Sequence, residues 1–254
     1  MDRKAIKEEA KAKIKGNLWT IWKVLLIVIV ISTAADLIIS ALFPVSYDTM
    51  QIFLETGTMP LNKAGEAAKL VISIVLAPLT IGCAAYILKF VRGKKPEVNE
   101  IFGHYKNILT IALVTILVYV FVSIGMVLLI IPGIIIALML SMYTYILADG
   151  ETDIWETIKQ SANMMKGHKW EYFVFLLSFI GWILLCFITL GIAAIYVVPY
   201  MNTASCIWYD NLKELNKPAK IVEPKEEKKS EEPKKVLNKK TSKPKKVAKK
   251  TKNK

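Results

Sequence analysis

Histidine is nearly absent from this 254-residue chain: His104 and His168 are all it has, far apart in sequence. A metal site built on imidazoles, or a His-based catalytic cluster, is therefore not expected. Cysteine is equally scarce. Cys83, Cys186 and Cys206 fall singly in apolar stretches without a CxxC pair, which reads as packing rather than a disulfide framework. No glycine-rich phosphate loop occurs, and no nucleophile, base and orienting group form a pattern. These absences argue against an enzyme and against a bound cofactor. Charge is missing over long distances too. Ile108 to Ala148 runs 41 residues without Asp, Glu, Lys or Arg, and Tyr172 to Tyr209 runs 38.

What charge there is stands apart from the apolar runs. Apolar residues make up 54% and charged residues 22%, with a formal net charge of +13. From Lys213 to Lys254 there are 17 lysines against 6 glutamates, so most of the excess belongs to the C-terminal stretch. A membrane span needs about 20 apolar residues. Leu18–Phe43 and Leu70–Leu88 supply one each, and the two long runs have room for two each. The expectation is an all-α integral membrane protein of about six transmembrane helices, approximately 18–43, 68–90, 107–130, 133–149, 171–189 and 192–210. A basic amphipathic segment, 1–17, precedes this 18–212 membrane domain, and a disordered lysine-rich tail, 213–254, follows it. The first span is too long for a signal-peptide core and lacks a clear cleavage site, so it reads as an uncleaved anchor.

Turn chemistry divides the long runs at Ile131-Pro132-Gly133 and at Thr189-Leu190-Gly191. Basic-rich and basic-poor connections then alternate. Arg3 to Lys15, Lys89 to Lys106, Lys159 to Lys169 and the tail are basic, whereas Pro44–Ala67 and the two tight turns are not. By the positive-inside rule both ends lie in the cytoplasm. A phrase recurs before three spans: Gly16-Asn17-Leu18-Trp19, Gly103-His104-Tyr105-Lys106 and Gly167-His168-Lys169-Trp170. The second helix of each pair carries Pro78, Pro132 or Pro199, and the next charge lies 11 positions beyond both Pro78 and Pro199, at Lys89 and Asp210. This predicts three helical hairpins, each with an interfacial helix and a glycine hinge, at Gly16, Gly103 and Gly167. Thr152–Met165 fits such an interfacial helix lying on the bilayer, with Ile154, Trp155, Ile158, Ala162 and Met165 on its apolar face and Asp153 as cap.

Several separated phrases carry a family resemblance: Ile130-Ile131-Pro132-Gly133-Ile134, Ser141-Met142-Tyr143, Ile146-Leu147-Ala148-Asp149, Met164-Met165-Lys166-Gly167, Leu177 to Trp182, Thr189-Leu190-Gly191 and Pro199-Tyr200. Together with Lys15-Gly16-Asn17 they resemble an uncharacterised family of bacterial multi-pass membrane proteins, domain of unknown function 975, over most of residues 1–212. The resemblance implies a distant likeness to the membrane region of some glycerophosphodiester phosphodiesterases, and no catalytic residues.

The candidate intramembrane polar site is Asp36, Tyr143, Tyr145, Asp149, Tyr200 and Asn202. An intramembrane acid is a functional hypothesis by default, but Asp36 lies about 25 Å along its helix, close to a boundary. Asp149, Glu151 and Asp153 are dense enough for a divalent cation, although helix capping accounts for them as well. Hydroxyl residues near Tyr143 and Tyr200 either line a cavity or bind helices together. The tail stretch Lys234, Lys235, Lys239, Lys240, Lys243, Lys245, Lys246, Lys249, Lys250, Lys252 and Lys254 has no acid and no aromatic. It is too polar to fold and has no ring for base stacking, so sequence-specific nucleic-acid binding is not expected. Anionic lipid headgroups are its expected partner, with ribosomal RNA as the rival polyanion. The expected function is a non-enzymatic membrane-organising or accessory protein. A transporter-like protein with a polar cavity and an insertase-like accessory protein whose tail contacts the ribosome are the alternatives.

Overall fold

The computed structural model describes residues 1–44 and 63–216; most of the first acidic loop and nearly all of the lysine tail lie outside the described residues. The described chain is helical throughout. In order, α1 is Arg3–Ile14, α2 Leu18–Leu42 and α3 Lys63–Val91. A 3-10 helix over Val98–Asn107 leads into α4, Ile108–Leu128. Then come α5 Ile130–Leu140, α6 Tyr143–Ala148, α7 Ile154–Met164, α8 Lys169–Leu177, α9 Ile180–Ile188 and α10 Ala194–Leu215. Five stretches are long and apolar enough to cross a membrane: Leu18–Leu42, Ala64–Val91, Val98–Leu128, Ile130–Ala148 and Lys169–Ile188. The expected sixth span, 192–210, forms α10, which differs in kind. It buries Tyr200, Thr203, Trp208 and Tyr209, and Asp210 and Lys213 lie on its last turns.

The helix starts show why these segments fold as units. Asp2 caps α1, its carboxylate accepting from the Lys4 and Ala5 amides, and Asp153 caps α7 by accepting from Glu156 at 2.7 Å. Gly16 (φ +80°) and Gly167 (φ +86°) then turn the chain into the next helix, in a conformation that suits glycine. The residues that open α2, α4 and α8 are Asn17, Asn107 and His168, at φ −120°, −109° and −110°. The second unit is therefore framed by Asn107. Gly103 lies inside the 3-10 helix without a positive φ, and the hinge expected there is not formed.

Aligning Gly16 with Gly167 places the buried stripe of α1, Ile6, Ala10 and Ile14, on Thr157, Ser161 and Met165. The second set shares Met165 with the expected apolar face of the interfacial helix, and Ile154 and Ile158 of that face pack against a buried cluster. Trp155 is 55% exposed, whereas Thr157 and Ser161 are fully covered. Periodicity counts a hydroxyl as polar, but Ser161 is small enough to bring α7 onto the bundle, and it donates to the Met139 carbonyl at 3.0 Å. This helix docks on α4, α5 and α6 and does not simply lie on a bilayer.

The three leading elements pack in cyclic order. The 3-10 helix lies on α3, with Ile101 against Gly82; α7 lies on α5 and α6; α1 lies on α10, closing the ring. The contacts fall at Gly82, Met139 and Tyr200, the last lying 5.8 Å beneath the Lys11 ammonium. Each is ten residues before a charged residue, Arg92, Asp149 or Asp210. The ring is also tied between α2 and α10, where the Trp22 indole donates to the Ile195 carbonyl at 2.7 Å.

The two turns differ. At Thr189-Leu190-Gly191 the chain breaks where glycine chemistry indicates, with Leu190 at φ +50° and Gly191 at φ +89°. Near Pro132 the break falls earlier, at Leu129 (φ −162°, ψ 147°), and Pro132 is the third residue of α5. Proline is tolerated in a first helical turn, because no acceptor awaits its missing N–H. Gly133 serves packing, since a Cβ there would come 2.8 Å from the Met126 Cα and one at Gly125 would come 2.9 Å from the Gly133 Cα. Pro78 and Pro199 lie within α3 and α10.

Candidate functional site

The second helices of the three hairpins converge on one charged cluster. Helix α3 ends in a Schellman stop: Gly93 (φ +73°) donates to the Phe90 carbonyl and Lys94 to Lys89, leaving Arg92 at the cap. Helix α6 ends in the same way. Gly150 (φ +100°) donates to Leu147 and Glu151 to Ile146, leaving Asp149 at the cap. Helix α10 runs on through this level and brings Tyr209, Asp210 and Lys213. Two equivalent stops thus aim opposite charges at a third helix.

The Arg92 guanidinium grips both carboxylates. Nη1 and Nη2 reach the Asp149 oxygens at 2.5 and 3.0 Å, while Nε and Nη2 reach Asp210 at 3.1 and 2.6 Å. Lys213 Nζ lies 2.5 Å from Asp149 Oδ2, and the Tyr209 hydroxyl donates to the same oxygen at 3.0 Å. The Asp149 side chain is 14% exposed. Burial alone would raise its pKa, but the hydrogen bonds from Arg92 and Lys213 hold its carboxyl below the usual range. Its bonds to Asp149 and Asp210, offset in part by burial, push the Arg92 guanidinium further towards its charged form. Two cations meet two carboxylates, so the cluster is balanced, and beside it a cavity of about 260 Å³ is lined by Arg92, Asp210, Lys213 and Glu214.

This balance has a signed pH dependence. A folded-state pKa lowered below the ordinary carboxylate value near 3.9 adds stability that is present above that pH. The contribution is lost as pH falls through the folded value. Thermal unfolding in detergent should therefore be insensitive to this group from pH 7 to about 5 and drop more steeply below about 4 than in Asp149→Asn. Parallel curves for the two proteins at low pH would contradict the assignment.

The other expected residues scatter. Asp36 is exposed on the outer face of α2. Tyr143 packs with Ile111, Val114 and Val118 in a side cluster. Tyr200 is buried among Phe179, Trp182 and Tyr196. Tyr145 stacks on Tyr209 at 5.4 Å, beneath the charged cluster. It shares with Asn202, Thr80, Thr144, Cys83 and Cys206 a cavity of about 240 Å³ walled also by Leu25 and Val28. Its polar groups are partly spent on their own helices, the Asn202 amide donating to Val198 and the Thr80 hydroxyl to Ala77. Glu151 accepts from the Thr152 and Asp153 amides, and Asp149 is held by Arg92 and Lys213, so the acidic trio does not act as one ligand set. Among the described residues no three His, Cys, Asp or Glu side chains gather as metal ligands. Arg92, Tyr209, Asp210 and Lys213 were not anticipated from sequence. The common 11-residue spacing after Pro78 and Pro199 equates Asp210 with Lys89, which pairs with Glu100 and lies outside the cluster.

The family model described as "Protein of unknown function (DUF975)" matches residues 1–135 and 120–216, taking in both the cyclic bundle and all four members of the cluster. The chain belongs to this family. No curated protein and no solved structure matches it, so the expected likeness to phosphodiesterase membrane regions gains no support. Within this DUF975 chain the tail from Lys217 onward lies outside the match.

Proposed function

We propose that this DUF975 protein is a non-enzymatic membrane-organising or accessory protein of the bacterial cytoplasmic membrane, with both termini in the cytoplasm and a lysine tail that binds anionic lipid. The observation that carries the reading is how the bundle uses its polar groups. Arg92, Asp149, Asp210 and Lys213 neutralise one another at the junction of three helices. The amide and hydroxyl at Asn202 and Thr80 bond their own backbones, leaving the cavity wall largely apolar. Groups arranged in this way support helix association more than passage of a polar solute. The cavity shared by Tyr145 and Asn202 favours transport as the second reading.

The two readings separate in a strain deleted for the chain. If the reading holds, deletion should sensitise the strain to membrane stress such as detergent, and the double variant Thr80→Val/Asn202→Leu should relieve that defect as well as the unaltered protein does. Replacing the eleven lysines from Lys234 to Lys254 by glutamine should reduce that rescue. The opposite pattern, at equal membrane abundance, would overturn the accessory reading in favour of solute passage.

A further inference from the structure

Helix α1 carries more cations than its neighbours neutralise, and they surround a hollow. A cavity of about 320 Å³ is lined by Met1, Asp2, Arg3, Lys4, Lys7 and Ser178. Its carboxylate is already engaged, because Asp2 accepts from the Lys4 and Ala5 amides. The Met1 amine is matched by Glu171 at 3.2 Å. Arg3 and Lys4 are exposed, and among the described residues neither has a carboxylate partner. Lys7 is pinned into the wall, donating to the Ser178 carbonyl at 2.9 Å with its ammonium 4.4 Å from the centre of the Phe179 ring. Burial first, then the charges of Lys11 and Arg3, push the Lys7 ammonium below its ordinary value. Some cations elsewhere in the fold are matched, Lys13 by Glu9, Lys89 by Glu100, and Arg92 and Lys213 by Asp149, and others such as Lys94 and Lys95 are simply exposed; Arg3, Lys4 and Lys7 differ in lining one shared cavity.

The Met1 end of this hollow points to its occupant. Trp170 adjoins Glu171, which holds the Met1 end of the cavity, and its ring is 71% exposed; Trp19, at the equivalent place in the first unit, is 74% exposed. Exposed tryptophans at the starts of apolar helices mark the bilayer interface, the level of the lipid phosphates. An arginine fork and two ammonium groups suit phosphate oxygens. We propose that Arg3, Lys4 and Lys7, against the Ser178 carbonyl wall, hold the phosphate of an anionic glycerophospholipid headgroup. This site belongs to the folded bundle and is separate from the tail.

The test uses the full chain in nanodiscs carrying photoactivatable phosphatidylglycerol, with the labelled peptides mapped by mass spectrometry. Label should fall on residues 1–17 and near Ser178, and excess phosphatidylglycerol but not phosphatidylcholine should compete it away. Arg3→Gln/Lys4→Gln, which alters exposed side chains alone, should lower it at least fivefold, and Lys7→Arg should retain it. Glutamine at all eleven tail lysines should leave it unchanged, so that failure of the tail reading and failure of this one remain distinct. Equal labelling of the Arg3→Gln/Lys4→Gln variant, or label confined to the tail, would overturn the site. Complete displacement by millimolar inorganic phosphate would overturn the lipid as occupant and assign the site to free phosphate.

Discussion

Arg92→Leu is expected to cost the folded bundle about 2–4 kcal/mol, toward the lower end of what breaking a buried ion pair costs, because the partners retain some exposure. The loss comes from what is left behind. Asp149 would keep Lys213 and Tyr209, but Asp210 would face Asp149 with no cation between them. Arg92→Lys should cost roughly 1–2 kcal/mol, since one ammonium cannot fork onto two carboxylates at once. The double variant Arg92→Leu/Asp210→Asn should recover much of the loss, because it removes the stranded carboxylate while Asp149 keeps Lys213. Thermal stability in detergent, followed by size-exclusion chromatography, checks all three. If Arg92→Leu melts with the unaltered protein, the cluster is not what joins the three helices.

A single methyl group should do comparable damage at Gly82. Its Cβ would lie 1.9 Å from the Ile101 carbonyl oxygen and within 2.8 Å of the Ile101 carbon atoms. These are backbone atoms, so no rotamer change relieves the clash and the whole 3-10 segment must lift off α3. Overpacking usually costs about 1–3 kcal/mol, and an unyielding neighbour places Gly82→Ala at or above the top of that range. Gly103→Ala is the matched control, because a Cβ there meets nothing within 4 Å. A Gly82→Ala protein that elutes as a monodisperse peak with unchanged melting would show that the contact is looser than described.

Membrane residence was readable because an uncharged run of about 20 residues is a property of composition, independent of how the helices later pack. The break at Gly191 was readable for a similar local reason. The break at Leu129 was not, since a proline that ends one helix looks in sequence like a proline in the first turn of the next. The buried face of α7 was read in part, through Ile154, Ile158 and Met165; Thr157 and Ser161 were missed because they are polar by type but small in size. Asp149 was singled out without its partners, because Arg92 lies 57 positions away and is itself 118 from Asp210. A cluster of this kind is assembled by cyclic packing, which local periodicity does not encode. The Gly103 hinge failed through register: the phrase sought there begins at Asn107.

The closure of the ring by α1 on α10 bears on how the protein is made. The covered edge of α1, Ile6, Ala10 and Ile14, is synthesised before the described spans, yet its seat is α10, the last of the described helices. Every hairpin must therefore be inserted before that apolar edge finds shelter, and a chain halted anywhere before α10 leaves it uncovered. Such an edge is the kind of surface that quality-control proteases and chaperones bind. The order of the helices thus leaves the α1 edge uncovered until α10 is in place.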